Sequence, residues 1–516
     1  MKFTTAQAVY TRLEGHRYQY LDRARSCSKL TLPYVMPDEG HGPHSRLDTP
    51  FQGVGARGVN NLASKLLLAL LPPNAPFFRL NIDSYALANE GAPEELISEI
   101  ESTLQKVEES VMDEISREAY RTAIHSALKH LIITGNVMLY LPDEGGIRVF
   151  HLDRFVVDRD PMGNVTHIAT KENISYDVLD EDIKAQIATN GGQPTDEVHL
   201  YTAACRDGDE FIIYQDINGV ALESSGSRVN KAKNPFIPLR FSRIDGESYG
   251  RGYVEEYLGD LQSLEGLSRA ILEGSAAAAK VMFLVNPNGT TRARTLAEAP
   301  SGAIVQGNAA DVTTLQLNKI ADFRTAESSI KVIADRLGGA FLLTSNVVRQ
   351  AERVTAEEIR MLSQELESAL GGLYSLLSNE MQLPFVNRLM DVMKSKKKLP
   401  ALPKDIVNPV IITGVEALGR GNDLQKLDLF LAGAAQVVGP QAIAEFVNVS
   451  QYFQRRATAL GIKTAGLVKD DEQIQAEKQQ AQQMAMMSQV APQGVKALGD
   501  QALEQQRQQG VEEPTE

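Results

Sequence analysis

Tryptophan is absent from this chain of 516 residues, cysteine occurs twice, and aromatic residues make up 6% of the sequence. Cys27 and Cys205 are too few for a disulfide framework, so we expect synthesis in a reducing, cytoplasmic compartment. The apolar run from Leu62 to Pro72 is interrupted by Lys65. It is far shorter than the roughly 20 residues of a membrane-spanning helix, and the polar first residues do not resemble a signal peptide.

An excess of positive charge is also missing. The chain has 66 acidic and 52 basic residues and a net charge of −14. Sequence-specific nucleic-acid binders usually carry a basic patch, so a DNA partner, if there is one, is not held through bulk charge. With 43% hydrophobic residues the chain can bury a substantial core, and its length allows roughly two to four domains.

The glycine pattern from Gly53 to Gly58 matches GxGxxG, the dinucleotide-binding fingerprint. That fingerprint requires a strand before it and a helix after it within a βαβ unit. The preceding SRLDTPFQ is a poor strand, and Val59-Asn60 stands where a phosphate-binding loop needs Lys followed by Ser or Thr. A nucleotide-binding enzyme is therefore the weaker interpretation, and a glycine-rich helix start is the stronger one.

Histidine and serine patterns do not complete a catalytic or metal site. His125 and His130 are five residues apart, on different faces of a helix, and no carboxylate or cysteine completes a ligand set. Ser248 in GESYGRG has the wrong spacing for a nucleophile elbow. We therefore predict no enzyme activity, no catalytic residue, no metal and no cofactor.

Apolar periodicity predicts an α+β fold that is mainly helical. Helices are expected over residues 1–30, 54–71 and 93–131. Between 137 and 245 the period changes to short β-type runs, with turns at Asp160 to Asn164, Asp207-Gly208 and Asn218-Gly219. These turn residues are typical of hairpins and predict a mostly antiparallel sheet region.

The middle of the chain predicts two helices around a small β module. The first helix spans about 253–280, and its Gly266 and Gly274 suit either a neighbouring helix at close range or ordinary packing within the chain. Strands are expected at 281–285, at AIVQ (303–306) and at 312–317. The second helix spans about 322–341 and leads into a polar loop at 342–354.

A sharply capped long helix is expected after this loop. Thr355 and Glu358 form the S/T-x-x-E pattern of a capping box, in which each side chain bonds a backbone N–H of the first turn. Apolar residues at spacings of three and four then continue to Leu383, and Pro384 should bend or end the helix. Further on, a helix is expected over 423–460, and the Gln-rich residues 471–509 are either disordered or helical only against copies of themselves.

Several segments are more specific than this general pattern. They include PFQGVGARGVNNLASKLLLALLP, GNVMLYLP, RIDGESYGRGYVEEYLGDLQSLE, LVNPNG, ERVTAEEIRMLSQELE, LGGLYSLLSNEMQLP and ITGVEALGRGNDL. In order from about residue 50 to 425, they closely resemble the portal proteins, or head-to-tail connectors, of short-tailed podovirus-type bacteriophages. The resemblance is weakest over the first 40 residues and the Gln-rich tail.

This resemblance implies a portal architecture of wing, stem, clip and crown that assembles into a ring, usually of twelve subunits, around a channel for double-stranded DNA. The implied division is as follows: wing 1–252, including the β region 137–245; stem helices 253–280 and 321–341; clip 281–320; tunnel loop 342–354; long wing helix 355–400; crown 401–470; and a barrel or tail 471–516.

The resemblance also implies roles for individual residues, although a scattered surface arginine is the default interpretation of any one of them. The residues implied to face DNA in the tunnel loop are Arg349, Gln350 and Arg353. The candidates for channel-facing residues of the stem are Lys331 and Arg336, and those for clip contacts are Arg292 and Arg294. The helix cap is Thr355 with Glu358.

The expected partners are those of a portal at a capsid vertex, the head-tail junction of the virion, after assembly in the host bacterial cytoplasm. They are other copies of the chain, double-stranded DNA passing without sequence specificity, the packaging terminase, tail adaptor and nozzle proteins, and the major capsid, scaffold and internal core proteins; no membrane is expected. The alternative is another virion structural protein, such as a scaffold or internal core protein.

Overall fold

The computed structural model describes most of residues 5–456. Within this range the structure does not describe residues 43, 74–76, 82–93, 180, 182, 185–196, 218, 223–224, 279–281, 316–319, 344–355, 371, 400–409, 414–419, 440–446, 448–451 and 454–455. Within the described part of the chain, no helix is both long and apolar enough to cross a membrane.

Four helices form the N-terminal part of the fold: α1 (Ala6–Lys29), α2 (Val54–Leu70), α3 (Glu94–Arg117) and α4 (Tyr120–Thr134). The first two agree with the sequence prediction. The single helix expected over 93–131 is wrong, because residues 118–119 separate α3 from α4. Gly135 then ends α4 with a φ of 74°, in the left-handed region that glycine adopts most easily.

The predicted antiparallel β region is confirmed, but it consists of two sheets. The strands are β2 (Asn136–Tyr140), β3 (Arg148–Phe150), β4 (Phe155–Arg159), β5 (Val165–Ser175), β6 (Glu197–Asp207), β7 (Glu210–Ile217), β8 (Val220–Ala221), β9 (Ser227–Asn230) and β10 (Phe236–Arg240). A three-stranded sheet has the order β10-β2-β3, and a larger sheet has the order β4-β5-β6-β7-β8 with β9 also paired to β7. All of these pairings are antiparallel.

The predicted turns lie where the sequence placed them. Gly208 joins β6 to β7 with a φ of 65°, and Gly219 joins β7 to β8 with a φ of 84°. In the turn before β5, the Gly163 N–H donates to the Asp160 carbonyl at 2.8 Å. Strand β9 was not predicted, and Asn218 lies outside the described residues.

The main core forms around α2 and α4, whose apolar faces pack with β2 and with the later helices. Helix α1 instead packs on the larger sheet, where Val9 and Leu13 join a cluster with Val156 and Tyr201. Arg17 of α1 is buried there and donates to the carbonyl oxygens of residues 152 and 155, at 3.0 and 2.8 Å. A buried guanidinium is tolerated here because these carbonyls accept from one of its terminal NH2 groups and the Glu14 carboxylate lies 3.3 Å from the other.

The middle of the chain contains α5 (Tyr253–Glu256), α6 (Leu258–Ala278), β11 (Met282–Val285), α7 (Ala293–Glu298), β12 (Val312–Leu315) and α8 (Ile320–Ala340). Strands β11 and β12 form an antiparallel pair. The expected strand at 303–306 is wrong, since these residues have no regular structure. The helix expected over 253–280 is interrupted at Tyr257, which separates α5 from α6.

The long helix predicted from Thr355 to Leu383 is also divided. It consists of α9 (Ala356–Leu370), α10 (Leu373–Leu377), a π-helical segment (Ser378–Gln382) and α11 (Leu383–Ser395). Gly372 breaks the helix with a φ of 89°. Pro384 does not end it: it lies in the first turn of α11, directly after the π-helical segment, an irregularity known to bend helices.

One further strand pair lies within the first of two compact units, Met1–Leu418 and Gly419–Glu516. Here β1 (Phe78–Asn81) pairs with β13 (Val410–Thr413), and neither strand was predicted. In the second unit, α12 (Arg420–Val438) ends before Gly439, whose φ is 87°. The expectation of one continuous helix over 423–460 is therefore wrong at Gly439.

Candidate functional site

Helices α6 and α8, the predicted stem, pack against each other in opposite directions. Near one end, a Cβ added to Gly274 would lie 2.8 Å from the Phe323 ring, and near the other end Asp260 pairs with Arg336. Gly274 therefore serves packing within the chain, the simpler of the two interpretations weighed for it. A Cβ added to Gly266 would meet no described atom within 4 Å, so this position is open to a neighbour.

The two stem candidates have different environments. The Arg336 guanidinium pairs with the Asp260 carboxylate of α6, although more than half of its side chain is exposed. Lys331 is exposed on the same helix. Five residues correspond to a rotation of about 140° around a helix, so the two cations point in different directions. If the chain assembles into a ring, only one of these two side chains can therefore point directly at the ring axis.

The predicted clip is organised around a residue that sequence reasoning missed. The Asp311 carboxylate accepts hydrogen bonds from the Thr291 N–H and hydroxyl, both at 3.1 Å, and from the Thr290 hydroxyl at 3.2 Å. These bonds, led by the Thr291 N–H, hold the pKa of Asp311 below its usual range. Gly289 lies against the same carboxylate, since an added Cβ would be 2.4 Å from its carbon. The tight Asn286–Gly289 turn and this carboxylate fix the end of the β11–β12 pair.

The clip candidates Arg292 and Arg294 both lie on the surface. Arg292 is the residue before α7, and Arg294 pairs with Glu298 one turn along that helix at 2.9 Å. Three apolar side chains of the same module are also exposed: Phe283 at 62%, Leu284 at 53% and Ile304 at 103%. Arginines and exposed large apolar residues are both common at protein interfaces, so the surface of this module contains residue types suited to binding another protein.

Most of the predicted tunnel-loop site lies outside the described residues. Arg349, Gln350, Arg353 and the cap residue Thr355 belong to this group, and Glu358 is exposed on α9. The structure does show how α8 ends before this loop. The Leu342 N–H donates to the Gly339 carbonyl at 3.1 Å and the Leu343 N–H donates to the Gly338 carbonyl at 2.8 Å, a Schellman motif. Its left-handed position is occupied by Leu342, with a φ of 54°.

The GxGxxG segment does not form a nucleotide site. Gly53 precedes α2 directly and follows residues without regular structure. A Cβ added to Gly55 would lie 2.5 Å from the Leu30 carbonyl oxygen, and one added to Gly58 would lie 2.6 Å from the Phe341 ring. The Gly55 N–H is already bonded to the Gln52 side chain at 2.9 Å. The segment therefore lies at the start of α2, as the stronger interpretation predicted, and its glycines also permit close packing of this helix, which that interpretation did not include.

The specific segment GESYGRG is a structural joint. Asn136 at the start of β2 exchanges two hydrogen bonds with the backbone of Gly250, at 2.7 and 2.8 Å. A Cβ added to Gly252 would lie 2.4 Å from the Ile133 carbonyl oxygen. The Ser248 hydroxyl lies 3.4 Å from the Asp158 carboxylate, with no histidine among its hydrogen-bond partners in the described structure. These contacts join α4, β2 and α5 where the chain enters the stem.

A cluster of arginines near this joint was not predicted. Arg240 is 2% exposed and pairs with Glu380 of the π-helical segment at 3.2 Å. Arg159 donates to the backbone carbonyls of Gly163, Pro238 and Ser248 at 2.9 to 3.2 Å. Burial first, and then the neighbouring arginines, lower the pKa of Arg159 to about 10. Because these donors bind groups of the chain itself, the cluster connects the two sheets to the late helices.

No group of three or more His, Cys, Asp or Glu side chains within the described residues has an arrangement that could hold a metal ion. His125 is 3.3 Å from the Ser64 hydroxyl, and His130 stacks on His151 with 6.2 Å between ring centroids. These three histidines therefore have structural contacts.

Comparison with known proteins identifies the class that these features define. Residues 4–468 match the family described as bacteriophage head to tail connecting protein. This match spans most of the chain, and the protein belongs to that family. The resemblance to portal proteins of podovirus-type phages is thereby confirmed.

Similar curated relatives are portal proteins. The chain is 40% identical to the portal protein of Escherichia phage T7 over 491 residues, which is 93% of this chain and 91% of the relative. It is 41% identical to that of Enterobacteria phage T3 over 479 residues, 91% and 89% of the two chains. Among solved structures, one match is a chain from the neck of an empty gene transfer agent particle. The alignment covers 80% of this chain and 90% of the neck chain, with 10% identity and a TM-score of 0.34.

Proposed function

We propose that this protein forms the portal of a bacteriophage: a ring at one capsid vertex through which double-stranded DNA enters during packaging and leaves during ejection. The observation that carries this proposal is the 40% identity to the T7 portal protein over 93% of the chain. Identity that extends through helices, sheets and connecting segments supports a shared architecture as well as a shared ancestry.

The described elements supply the parts that such a ring needs. Helices α6 and α8 form an antiparallel pair suited to a stem, and the β11–β12 pair with α7 forms a compact clip at its end. The β region and the helices packed with it form the wing. We further propose that residues 342–354 serve as the tunnel loop, 401–470 as the crown and 471–516 as a barrel or tail, although most of these residues lie outside the described part of the chain.

The ring has twelve subunits in this proposal and docks with several proteins in turn. The clip contacts the packaging terminase and later the tail adaptor and nozzle, through Arg292, Arg294 and the exposed apolar side chains of the same module. The crown and wing face the capsid, scaffold and internal core proteins. The site is the head-tail junction of the virion, after assembly in the bacterial cytoplasm.

The charge of the chain suits a conduit. A net charge of −14 per subunit, repeated around a ring, gives a strongly negative assembly. Such a surface repels the phosphate backbone and keeps DNA from adhering to the channel, whereas a basic wall would bind it. A few arginine side chains repeated by symmetry then supply weak contacts without sequence specificity.

The deciding experiment is electron microscopy of the purified full-length protein. We expect rings with a central hole wide enough for duplex DNA, and two-dimensional class averages should show twelve-fold symmetry. Particles that remain monomeric under conditions in which the T7 portal protein forms rings would overturn the proposal. A compact assembly without a central hole would instead support the alternative of another virion structural protein.

A further inference from the structure

The end of helix α8 is held by three side chains that do not belong to it. Beyond the carbonyls satisfied by the Schellman motif, the Ala340 carbonyl accepts from the Tyr253 hydroxyl at 2.9 Å. The Asn61 side-chain amide donates to the carbonyls of Phe341 and Leu342, both at 3.0 Å. The last carbonyls of a helix lack partners within the helix, so these contacts complete its end.

Lys65 lies one turn beyond Asn61 on α2 and reaches the same helix end. Its ammonium donates to the Leu342 carbonyl at 3.2 Å, although only 4% of the residue is exposed. A cation at the carboxyl end of a helix also interacts favourably with the helix dipole. Asn61 and Lys65 therefore both bind the carbonyl of Leu342, the left-handed residue at the end of α8 that precedes residues 344–355.

The same ammonium also contacts α9, the helix that follows that segment. Glu365, in the third turn of α9, places a carboxylate oxygen 3.7 Å from the Lys65 nitrogen. Burial lowers the pKa of Lys65, and the Glu365 carboxylate acts in the opposite direction. A buried lysine is costly to desolvate, and leucine or methionine would fill the same space without that cost. Its position between the end of α8 and the side of α9 gives the charge a use that packing alone would not.

We propose that Asn61 and Lys65 are positioning residues that hold the end of α8 to α2 and, through Glu365, to α9, and so fix the point at which the chain leaves the predicted stem for the predicted tunnel loop. The proposal rests on the portal function proposed above. Twelve such contacts, repeated by the ring symmetry, would hold all copies of this helix end at one distance from the axis.

The test compares assembled full-length rings of the wild type with four variants, one of which, Lys65→Arg, keeps the positive charge. Lys65→Met removes the charge and keeps most of the side-chain volume. Glu365→Gln removes only the ion pair to α9, and because this residue is partly exposed the variant should fold. Lys29→Met is the matched control, because it breaks a surface ion pair, Lys29 with Asp38 at 2.9 Å, far along the sequence from the loop.

The first measurement is hydrogen–deuterium exchange followed by mass spectrometry. We expect exchange in peptides over 337–343 and 356–366 to be about tenfold faster in Lys65→Met, since removal of a buried interaction opens the structure locally. Glu365→Gln should increase exchange mainly over 356–366, Lys65→Arg should restore slow exchange, and Lys29→Met should change neither peptide. Unchanged exchange in both peptides, or a uniform increase over the whole chain, would overturn the proposal.

The second measurement is the fraction of phage particles that retain a full genome when they carry each variant portal. We expect lower retention with Lys65→Met and Glu365→Gln, at unchanged ring yield, and normal retention with Lys65→Arg and Lys29→Met. Faster exchange with normal retention would overturn the role in DNA handling. If wild-type rings do not form or do not pass DNA, the proposed portal function fails, whereas exchange measured on the unassembled full-length chain still decides whether Lys65 joins the end of α8 to α9.

Discussion

At the scale of single residues, several glycines of this chain lie at contacts that leave no room for a side chain. Gly58 is one of them. It lies inside α2, and the Phe341 ring that faces it is fully buried at the end of α8. In an open helix position alanine would be more stable than glycine by about 1 kcal/mol. Here the added methyl group would be 2.6 Å from the ring, so the steric cost exceeds the gain in helix stability and the substitution should destabilise the protein.

We therefore predict that Gly58→Ala destabilises the protein by about 1 to 3 kcal/mol, the usual range for overpacking a core. The measurement is urea unfolding of the wild type and the variant. Gly15→Ala is the control, because Gly15 lies inside α1 with no atom within 4 Å of an added Cβ. That substitution should increase stability by a few tenths to about 1 kcal/mol. Equal effects of the two substitutions would contradict the packing role of Gly58.

A second prediction at this scale concerns His130, which is largely enclosed beside His151 and Asp153. Burial, with a smaller contribution from His151, lowers the pKa of His130 from 6.5 to about 4. Between these values the unfolded chain binds more protons than the folded chain, so stability falls as the pH drops from about 6.5 towards 4. The contribution of this one group is at most ~3 kcal/mol.

His130→Gln removes this titration. The difference in unfolding free energy between wild type and variant should therefore shift with pH, with the wild type losing relative stability as the pH falls from 7 to 4. Denaturant unfolding at pH 7, 5.5 and 4.5 measures that difference. A difference that stays constant across the three pH values would show that His130 does not change its protonation on unfolding in this range.

The sequence was informative about single residues where local chemistry decides their role. The turn glycines at 208 and 219 and the helix start at the Gly53 to Gly58 segment follow from patterns within a few residues. Lys65 shows the limit. The sequence indicates only that it interrupts an apolar run, because its partners Leu342 and Glu365 lie almost 300 residues further along the chain. Contacts at such a separation depend on the tertiary fold, and no local pattern predicts them.

At the scale of elements, the break within the predicted long helix is the clearest difference between sequence and structure. Apolar residues keep helical spacing on both sides of the break, so periodicity alone does not reveal it. The signal that could have found it is the pair Gly371-Gly372, where glycine permits the left-handed conformation that ends a helix. Strands β1 and β13 were missed because each is four residues long and pairs only with a partner far away in sequence.

The break gives a prediction about Gly372. Its φ is 89°, and an added Cβ would meet only the Glu367 carboxylate at 3.9 Å, so a substitution is strained in its backbone and not by a clash. Gly372→Ala should cost about 1 to 2 kcal/mol, the penalty of left-handed backbone for an L-residue. Gly372→Asn should cost less, because asparagine adopts this conformation more readily.

Thermal and urea unfolding of both variants measure this order. If alanine and asparagine cost the same, the backbone conformation at 372 is not the cause. If Gly372→Ala is as stable as the wild type, the break at residue 372 is not required. Alanine would then join α9 to α10, and the continuous helix expected from the sequence would be possible at this position.

At the scale of the whole molecule, the negative charge and the predicted arginines of the tunnel loop have opposite effects on DNA. The wall of a ring with −14 per subunit disfavours binding. Arg349 and Arg353 each add a cation where the loop is predicted to face the duplex. Affinity should therefore be weak at physiological salt and should depend on few phosphate contacts.

We predict that rings of the wild type bind a short duplex with an affinity that falls with salt, and that Arg349→Ala combined with Arg353→Ala makes this dependence less steep. The slope of log affinity against log salt should become smaller by about 1 for each phosphate that is no longer neutralised. Fluorescence anisotropy of a labelled duplex between low and physiological salt measures it.

The matched control for this last prediction removes two arginines from the β region of the wing. Arg148 and Arg228 are 60% and 59% exposed, and each pairs with acidic side chains on the sheet surface. Arg148→Ala combined with Arg228→Ala changes the net charge of each subunit by the same amount as the loop substitutions. If net charge alone governs DNA binding, both double variants should lower the affinity equally. A smaller slope in the loop variant alone would place the phosphate contacts in the tunnel loop, whereas an unchanged slope in that variant would assign DNA contact to another part of the ring.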